Sequence, residues 1–111
     1  GPGGGERAHA GREERDYQLE LGLPRPNPAS GSIRVSWSIP QAKMGQAFEL
    51  TLFDVAGRRI ATVAKGSARP GSFTEEVAFR GWDGKALPNG VFFVRLRVGA
   101  DILKRAVVLS R

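Results

Sequence analysis

Ile33-Arg34-Val35-Ser36-Trp37-Ser38-Ile39 alternates apolar and polar side chains without a break. A period of two places every second side chain on one face of an extended chain, so this stretch reads as a strand with one face in a core. The pattern recurs twice. Phe48, Leu50 and Leu52 alternate with Glu49 and Thr51, and Phe92, Val94, Leu96 and Val98 alternate with Phe93, Arg95 and Arg97. Weaker strands are expected over Tyr17–Leu23, Arg59–Ala64, Phe73–Phe79 and Ile102–Ser110. Turn-forming residues separate them: Asn27-Pro28 with Ser30-Gly31, Ala56-Gly57, Pro70-Gly71, Asp83-Gly84, Pro88-Asn89-Gly90 and Gly99-Ala100-Asp101. No segment sustains a helical period with a cap. About seven short strands in about 95 residues predict an all-β domain, an antiparallel β-sandwich of immunoglobulin-like type. The cysteine pair that marks antibody domains is missing, so that likeness is one of architecture, and Trp37 is expected in the core.

A chain of 111 residues has room for one domain. Its 41% apolar content is that of a globular protein. With no Cys, disulfides, thiolate metal sites and cysteine nucleophiles are excluded. No apolar run approaches the roughly 18 residues of a membrane-spanning helix. Because the chain opens Gly1-Pro2 and its one Met is Met44, it reads as a fragment whose first residues are a protease scar. Residues 1–16 contain no Val, Ile, Leu, Met or aromatic side chain and are expected to form a flexible leader or linker. The domain is then 17–111, with 14 basic and 7 acidic side chains, a net +7. The single His, His9, falls in the leader, without the rigid frame that catalysis requires.

The carboxylates of the domain are Glu20, Glu49, Asp54, Glu75, Glu76, Asp83 and Asp101, and no motif pairs them for hydrolysis. A Ser-His-Asp triad lacks its His, no phosphate-cradling glycine loop precedes a helix, and Asp83-Gly84 offers calcium a single carboxylate. The expectation is a non-enzyme with no metal and no cofactor. A pI of 10.8 raises nucleic acid as a partner. However, the cations are dispersed as Arg58-Arg59, Arg95, Arg97, Lys104-Arg105 and Arg111 rather than massed in one arm, and the reading is against nucleic acid. The plainer account is that Lys and Arg guard sheet edges against edge-to-edge pairing.

Particular residues carry a resemblance. Pro26-Asn27-Pro28, the run Phe48 to Val63 with its Asp54 and Gly57, the run Trp82-Asp83-Gly84 to Gly99 with its Gly90, and the closing Lys104 to Arg111 resemble the C-terminal sorting domain of type IX secretion substrates. That family is found in Bacteroidetes and related phyla and is similar in turn to the Ig-like domain of the flagellar hook-capping protein. The resemblance covers nearly all of Tyr17–Arg111. Physically, Pro26, Asn27, Pro28, Asp54, Gly57, Trp82, Asp83, Gly84 and Gly90 read as turn and boundary residues. The resemblance implies a non-catalytic module that directs a larger secreted enzyme, typically a hydrolase, through the outer membrane and fixes it to the cell surface. Its implied partners are the secretion and attachment machinery and the upstream domains. The last hairpin, with Lys104, Arg105 and Arg111, is the expected handle. The alternative is an accessory carbohydrate-binding module, which would array Tyr17, Trp37, Trp82 and Phe93 as exposed platforms.

Overall fold

The structure, a computed structural model, describes residues 17–111; the leader assigned to 1–16, and His9 within it, lie outside the described residues. The described chain forms β1 (Glu20–Leu21), β2 (Ser32–Ile39), β3 (Ala47–Asp54), β4 (Arg59–Ser67), β5 (Gly71–Ala78), β6 (Gly90–Val98) and β7 (Asp101–Leu109). One turn of 3-10 helix, Gln41–Lys43, follows Pro40. All pairings between strands are antiparallel, in a three-stranded sheet of order β1-β2-β5 and a four-stranded sheet of order β4-β3-β6-β7. The fold is therefore the expected seven-stranded β-sandwich.

Each strong alternation became a strand with its apolar side turned inward. Ile33, Val35, Trp37 and Ile39 of β2 face Leu50 and Leu52 of β3 and Phe92, Val94, Leu96 and Val98 of β6 in one core, closed by Val107 and Leu109 of β7. Trp37 is 5% exposed and stacks on Phe73 at 5.6 Å between ring centroids. Phe79, just past β5, is fully buried against Phe92. Burial of such large side chains supplies the main stabilisation.

Two elements differ from expectation. The strand expected over Tyr17–Leu23 is confined to Glu20–Leu21, with Gly22 N–H still reaching the Ser36 carbonyl at 2.8 Å; Pro24, Pro26 and Pro28 follow, and none can donate to a ladder. β4 runs on to Ser67, and its pairing with β3 shifts register between Leu50 and Thr51 and again between Leu52 and Phe53, which breaks its alternation. The turns follow their sequence signals. Asp54 accepts the Arg58 backbone N–H at 2.8 Å while Gly57 takes φ +84°, and Asp83 accepts the Lys85 N–H at 3.0 Å beside Gly84 at φ +83°.

After β1 the chain crosses from one sheet to the other. Arg25 bridges Arg34 of β2, and Ala29 then pairs in parallel with Leu109 of β7. The Asn27–Ala29 segment thereby covers one end of the β7 edge: Ala29 N–H donates to the Val108 carbonyl, Ser110 N–H to the Ala29 carbonyl, and Val108 N–H to Asn27 Oδ1.

Candidate functional site

Residues directly opposed across antiparallel strands share a face of the sheet. In the four-stranded sheet Glu49 stands opposite both Lys65 and Arg97, Thr51 opposite Thr62 and Arg95, and Phe53 opposite Arg59 and Phe93. On β7, Ile102 opposes Arg97, Lys104 opposes Arg95, and Ala106 opposes Phe93. Since Leu50, Leu52, Val94 and Leu96 point into the core, all of these lie on the outer face. Register therefore collects Arg59, Lys65, Arg95, Arg97 and Lys104 around a single carboxylate, Glu49, for a face charge of +4. The cations that look scattered in sequence are gathered by pairing between distant segments.

Glu49 is the hub. Its side chain is 12% exposed; Arg59 Nη1 donates to Oε2 at 2.8 Å, and Arg95 and Arg97 each hold Nη2 3.7 Å from Oε1. Beneath these groups Thr51 is fully buried, and its hydroxyl, Arg95 Nε and Glu49 Oε1 have no hydrogen-bond partner among the described residues. The aromatic rings form a floor under the cations. Arg95 lies 4.6 Å and Arg59 6.0 Å from the Phe53 centroid, and Lys104 Nζ lies 5.6 Å from that of Phe93. A cleft of about 260 Å³ runs between them, lined by Phe53, Val55, Phe93, Arg95 and Lys104, with Asp54 at its margin. The Arg58 backbone N–H, together with its guanidinium 2.8 Å away, holds the Asp54 carboxyl below the usual carboxylate range against the opposing effect of burial. The arrangement presents fixed positive charge over an apolar floor, the chemistry of a receptor for carboxylates or other anions.

The three residues expected to form a basic handle are separated. Lys104 stands on the outer face over Phe93. Arg105, its neighbour in an extended strand, points to the other side, where its Nε donates to the Leu21 carbonyl at 2.8 Å and ties β7 to β1 across the sandwich. Arg111 is held away from both: its backbone N–H donates to Asn89 Oδ1 at 3.2 Å and its Nη1 to the Leu87 carbonyl at 2.6 Å. Lys104 is thus the one member of the three in the cation cluster. Arg59, Lys65, Arg95, Arg97 and Glu49 were not singled out from sequence as a site. The alternation on β3 and β6 puts Glu49 with Thr51, and Arg95 with Arg97, on the polar sides, but nothing local says that the two sides coincide.

The turn residues hold their structural places. Asn27 caps the β7 edge between Pro26 and Pro28, Asp54 and Gly57 close the β3–β4 turn, and Gly90 opens β6. In the loop before β6, Arg80 Nη1 donates to the Gly84 carbonyl beside Asp83, while Trp82 stands 91% exposed. Of the aromatics that a carbohydrate platform would need, Tyr17 is half-buried, Trp37 is core and Phe93 is overlaid by Lys104; Trp82 alone is free.

The described residues thus form a β-sandwich with a cation-laden outer face and a turn-locked periphery. The family model for the secretion system C-terminal sorting domain matches residues 26–110, and the chain belongs to that family, the sorting domains of type IX secretion. No curated protein matches the chain. Among solved structures, the sensor domain of the anti-sigma factor RsgI4 of Pseudobacteroides cellulosolvens superposes with a TM-score of 0.60 at 8% identity, covering 84% of this chain and 93% of that one, a likeness of fold. PorZ, a surface component of the type IX secretion system of Porphyromonas gingivalis, matches with a TM-score of 0.43 at 18% identity, over 94% of this chain; the match spans 13% of the PorZ chain.

Proposed function

We propose that residues 17–111 act as the sorting and attachment module of a larger secreted protein, a hydrolase by the family resemblance, joined to it through residues 1–16. The module engages the secretion machinery and leaves the protein on the cell surface. Membership of the sorting-domain family gives the secretory role. The observation that supports recognition by the domain itself is the five-cation face around Glu49. Edge protection can account for Arg59 and Lys65 on β4 and Lys104 on β7, but not for Arg95 and Arg97, which sit on β6, an interior strand of the sheet. Lys104 belongs to the recognising surface, while Arg105 and Arg111 support it by fixing β7 and the chain end.

The test is a fusion: a reporter with an export signal, followed by this chain, in a host that has type IX machinery. The reporter is expected outside the cell or on its surface, and retention in the periplasm overturns the reading. Lys104→Glu, folded by circular dichroism, is expected to reduce delivery; normal delivery removes Lys104 from the recognising surface.

Carbohydrate binding remains a second reading because of Trp82, whose indole is open to solvent. Sugar stacking needs bare ring faces, and those of Phe53 and Phe93 carry cations instead. Binding of xylan or cellulose by the purified chain, lost on Trp82→Ala, would establish this reading in place of the first.

A further inference from the structure

In an antiparallel ladder, alternate residues of an edge strand turn both N–H and C=O away from the neighbouring strand. Val108 shows which residues of β7 do so, because its N–H and carbonyl are taken by Asn27 and Ala29 rather than by β6. Ile102, Lys104 and Ala106 share that parity. Their outward N–H and C=O groups have no hydrogen-bond partner among the described residues. The open stretch is bounded at one end by the Lys43–Asp101 ion pair and at the other by the Asn27–Ala29 segment. Its five residues span about 17 Å.

Such an edge is a template for another strand, and proteins that do not use it usually cover it. Here coverage stops at Val108. The residues beside the opening are apolar and exposed, Ile102 at 53% and Val108 at 39% on β7 and Val91 at 40% on β6, and interspersed with them are Lys104, Arg95 and Arg97. A strand added at this edge would extend the cation face by one row, so that every second side chain would lie on the face that carries Lys104. We propose that the open edge of β7, Ile102 to Ala106, takes an extended acidic segment of a partner protein by strand addition, its carboxylates alternating onto the row of Lys104, Arg95 and Arg97. This rests on the sorting-module reading and names the chemistry of its partner. A second copy of this chain is the poorer occupant, because edge-to-edge pairing would bring two +4 faces together.

The experiment uses the full chain and a ten-residue peptide of alternating Glu and Val, with a Lys-Val peptide and heparin as comparisons. Hydrogen exchange followed by NMR is expected to show the amides of Ile102, Lys104 and Ala106 exchanging freely in the chain alone and protected by the Glu-Val peptide. Ala106→Pro removes one outward donor from a ladder position that β6 does not use, and is expected to weaken binding about tenfold. Lys104→Glu is expected to weaken it at least as much. Slow exchange at these amides without peptide would mean that residues 1–16 or a second copy occupies the edge, and overturns the proposal. So does binding of the Glu-Val peptide without amide protection, or binding of that peptide that is indifferent to Ala106→Pro, since either describes an anion-binding face alone. If Ala106→Pro proves unfolded by circular dichroism, a Glu-Val peptide N-methylated at alternate residues replaces it, and undiminished binding of that peptide counts against strand addition. In the export assay, delivery of the intact fusion that Ala106→Pro leaves unchanged sinks the edge proposal while the sorting reading stands; failure of the intact fusion sinks the sorting reading itself.

Discussion

The outer faces of the two sheets are built on the same period of two, yet they present different chemistry. On the three-stranded sheet the outward positions are Ser32, Arg34, Ser36 and Ser38 of β2, Ser72, Thr74, Glu76 and Ala78 of β5, and Glu20 of β1. Their hydroxyls are satisfied locally: Ser32 donates to Glu76, Ser36 pairs with Thr74, and Ser38 donates to the Gln18 carbonyl. With Arg25, which bridges Arg34, two cations stand against the carboxylates of Glu20 and Glu76, and this face is neutral. The four-stranded sheet carries +4, two aromatic rings under cations, and buried polar atoms without partners. More than half of the domain's net +7 is therefore on one side. Charge kept only for solubility has no reason to sit so unevenly, or to include arginines on an interior strand.

The largest effect that separates the faces is expected at their carboxylates. Glu49→Ala removes the one anion from among Arg59, Arg95 and Arg97 and leaves their guanidinium groups facing one another. Because Glu49 is nearly buried while the arginines are partly exposed, the loss is expected to be about 2 kcal/mol, below that of a fully buried pair. Glu76→Ala, on the hydroxyl-lined face, is expected to change stability by less than ~0.5 kcal/mol. Urea midpoints of both variants at equal ionic strength give the comparison. Equal, small losses would mean that Glu49 is one surface charge among others.

Next is the contrast between neighbours on β7. Arg105→Ala breaks the tie to the Leu21 carbonyl and leaves that acceptor without its donor, an expected cost of about 1.5 kcal/mol. Lys104→Ala gives up an exposed cation–π contact and is expected to cost less than ~0.5 kcal/mol. Delivery in the export assay should reverse the ranking per unit of lost stability, with Lys104→Ala impaired while its fold is intact. If Arg105→Ala is as stable as wild type, the β1–β7 tie carries no weight in holding the sheets together.

The separation of Lys104 from Arg105 was legible in principle, since adjacent strand residues face opposite ways, but a basic pair near a chain end reads more readily as one patch. β2, β3 and β6 could be read from sequence because each declares its buried side by alternation. β4 declares it poorly, for its two register shifts put residues of mixed character on either side. The cluster around Glu49 was beyond local reading altogether. It depends on β3 lying between β4 and β6 with Glu49 level with Arg97, and that registry is fixed by the packing of Leu50 against Leu96 and Leu52 against Val94 in the core. The turns were the most legible part, because Asp54, Gly57, Asp83 and Gly84 act within a few residues of themselves.

The smallest contrast lies at the margin of the basic face, where Asp54 borders the cleft shared by Arg95 and Lys104. Its carboxylate is engaged by the Arg58 backbone N–H and by Arg58 Nε, each at 2.8 Å, and its pKa is lowered in consequence. A group whose pKa is lower when folded binds fewer protons in the native state than in the unfolded chain, so its contribution is present above the unfolded value of about 3.9 and is lost as pH falls through the native value. Asp54→Asn keeps an oxygen for the Arg58 N–H but cannot titrate or pair with the guanidinium. The wild-type chain is therefore expected to be the more stable of the two at neutral pH, with the gap narrowing as acid is added and closing once Asp54 is protonated in the native state. Urea midpoints of both proteins across that range decide the matter. A gap that stays constant with pH would assign the turn's stability to its shape and to Gly57, and would leave the charge of Asp54 as no more than a neighbour of the cation face.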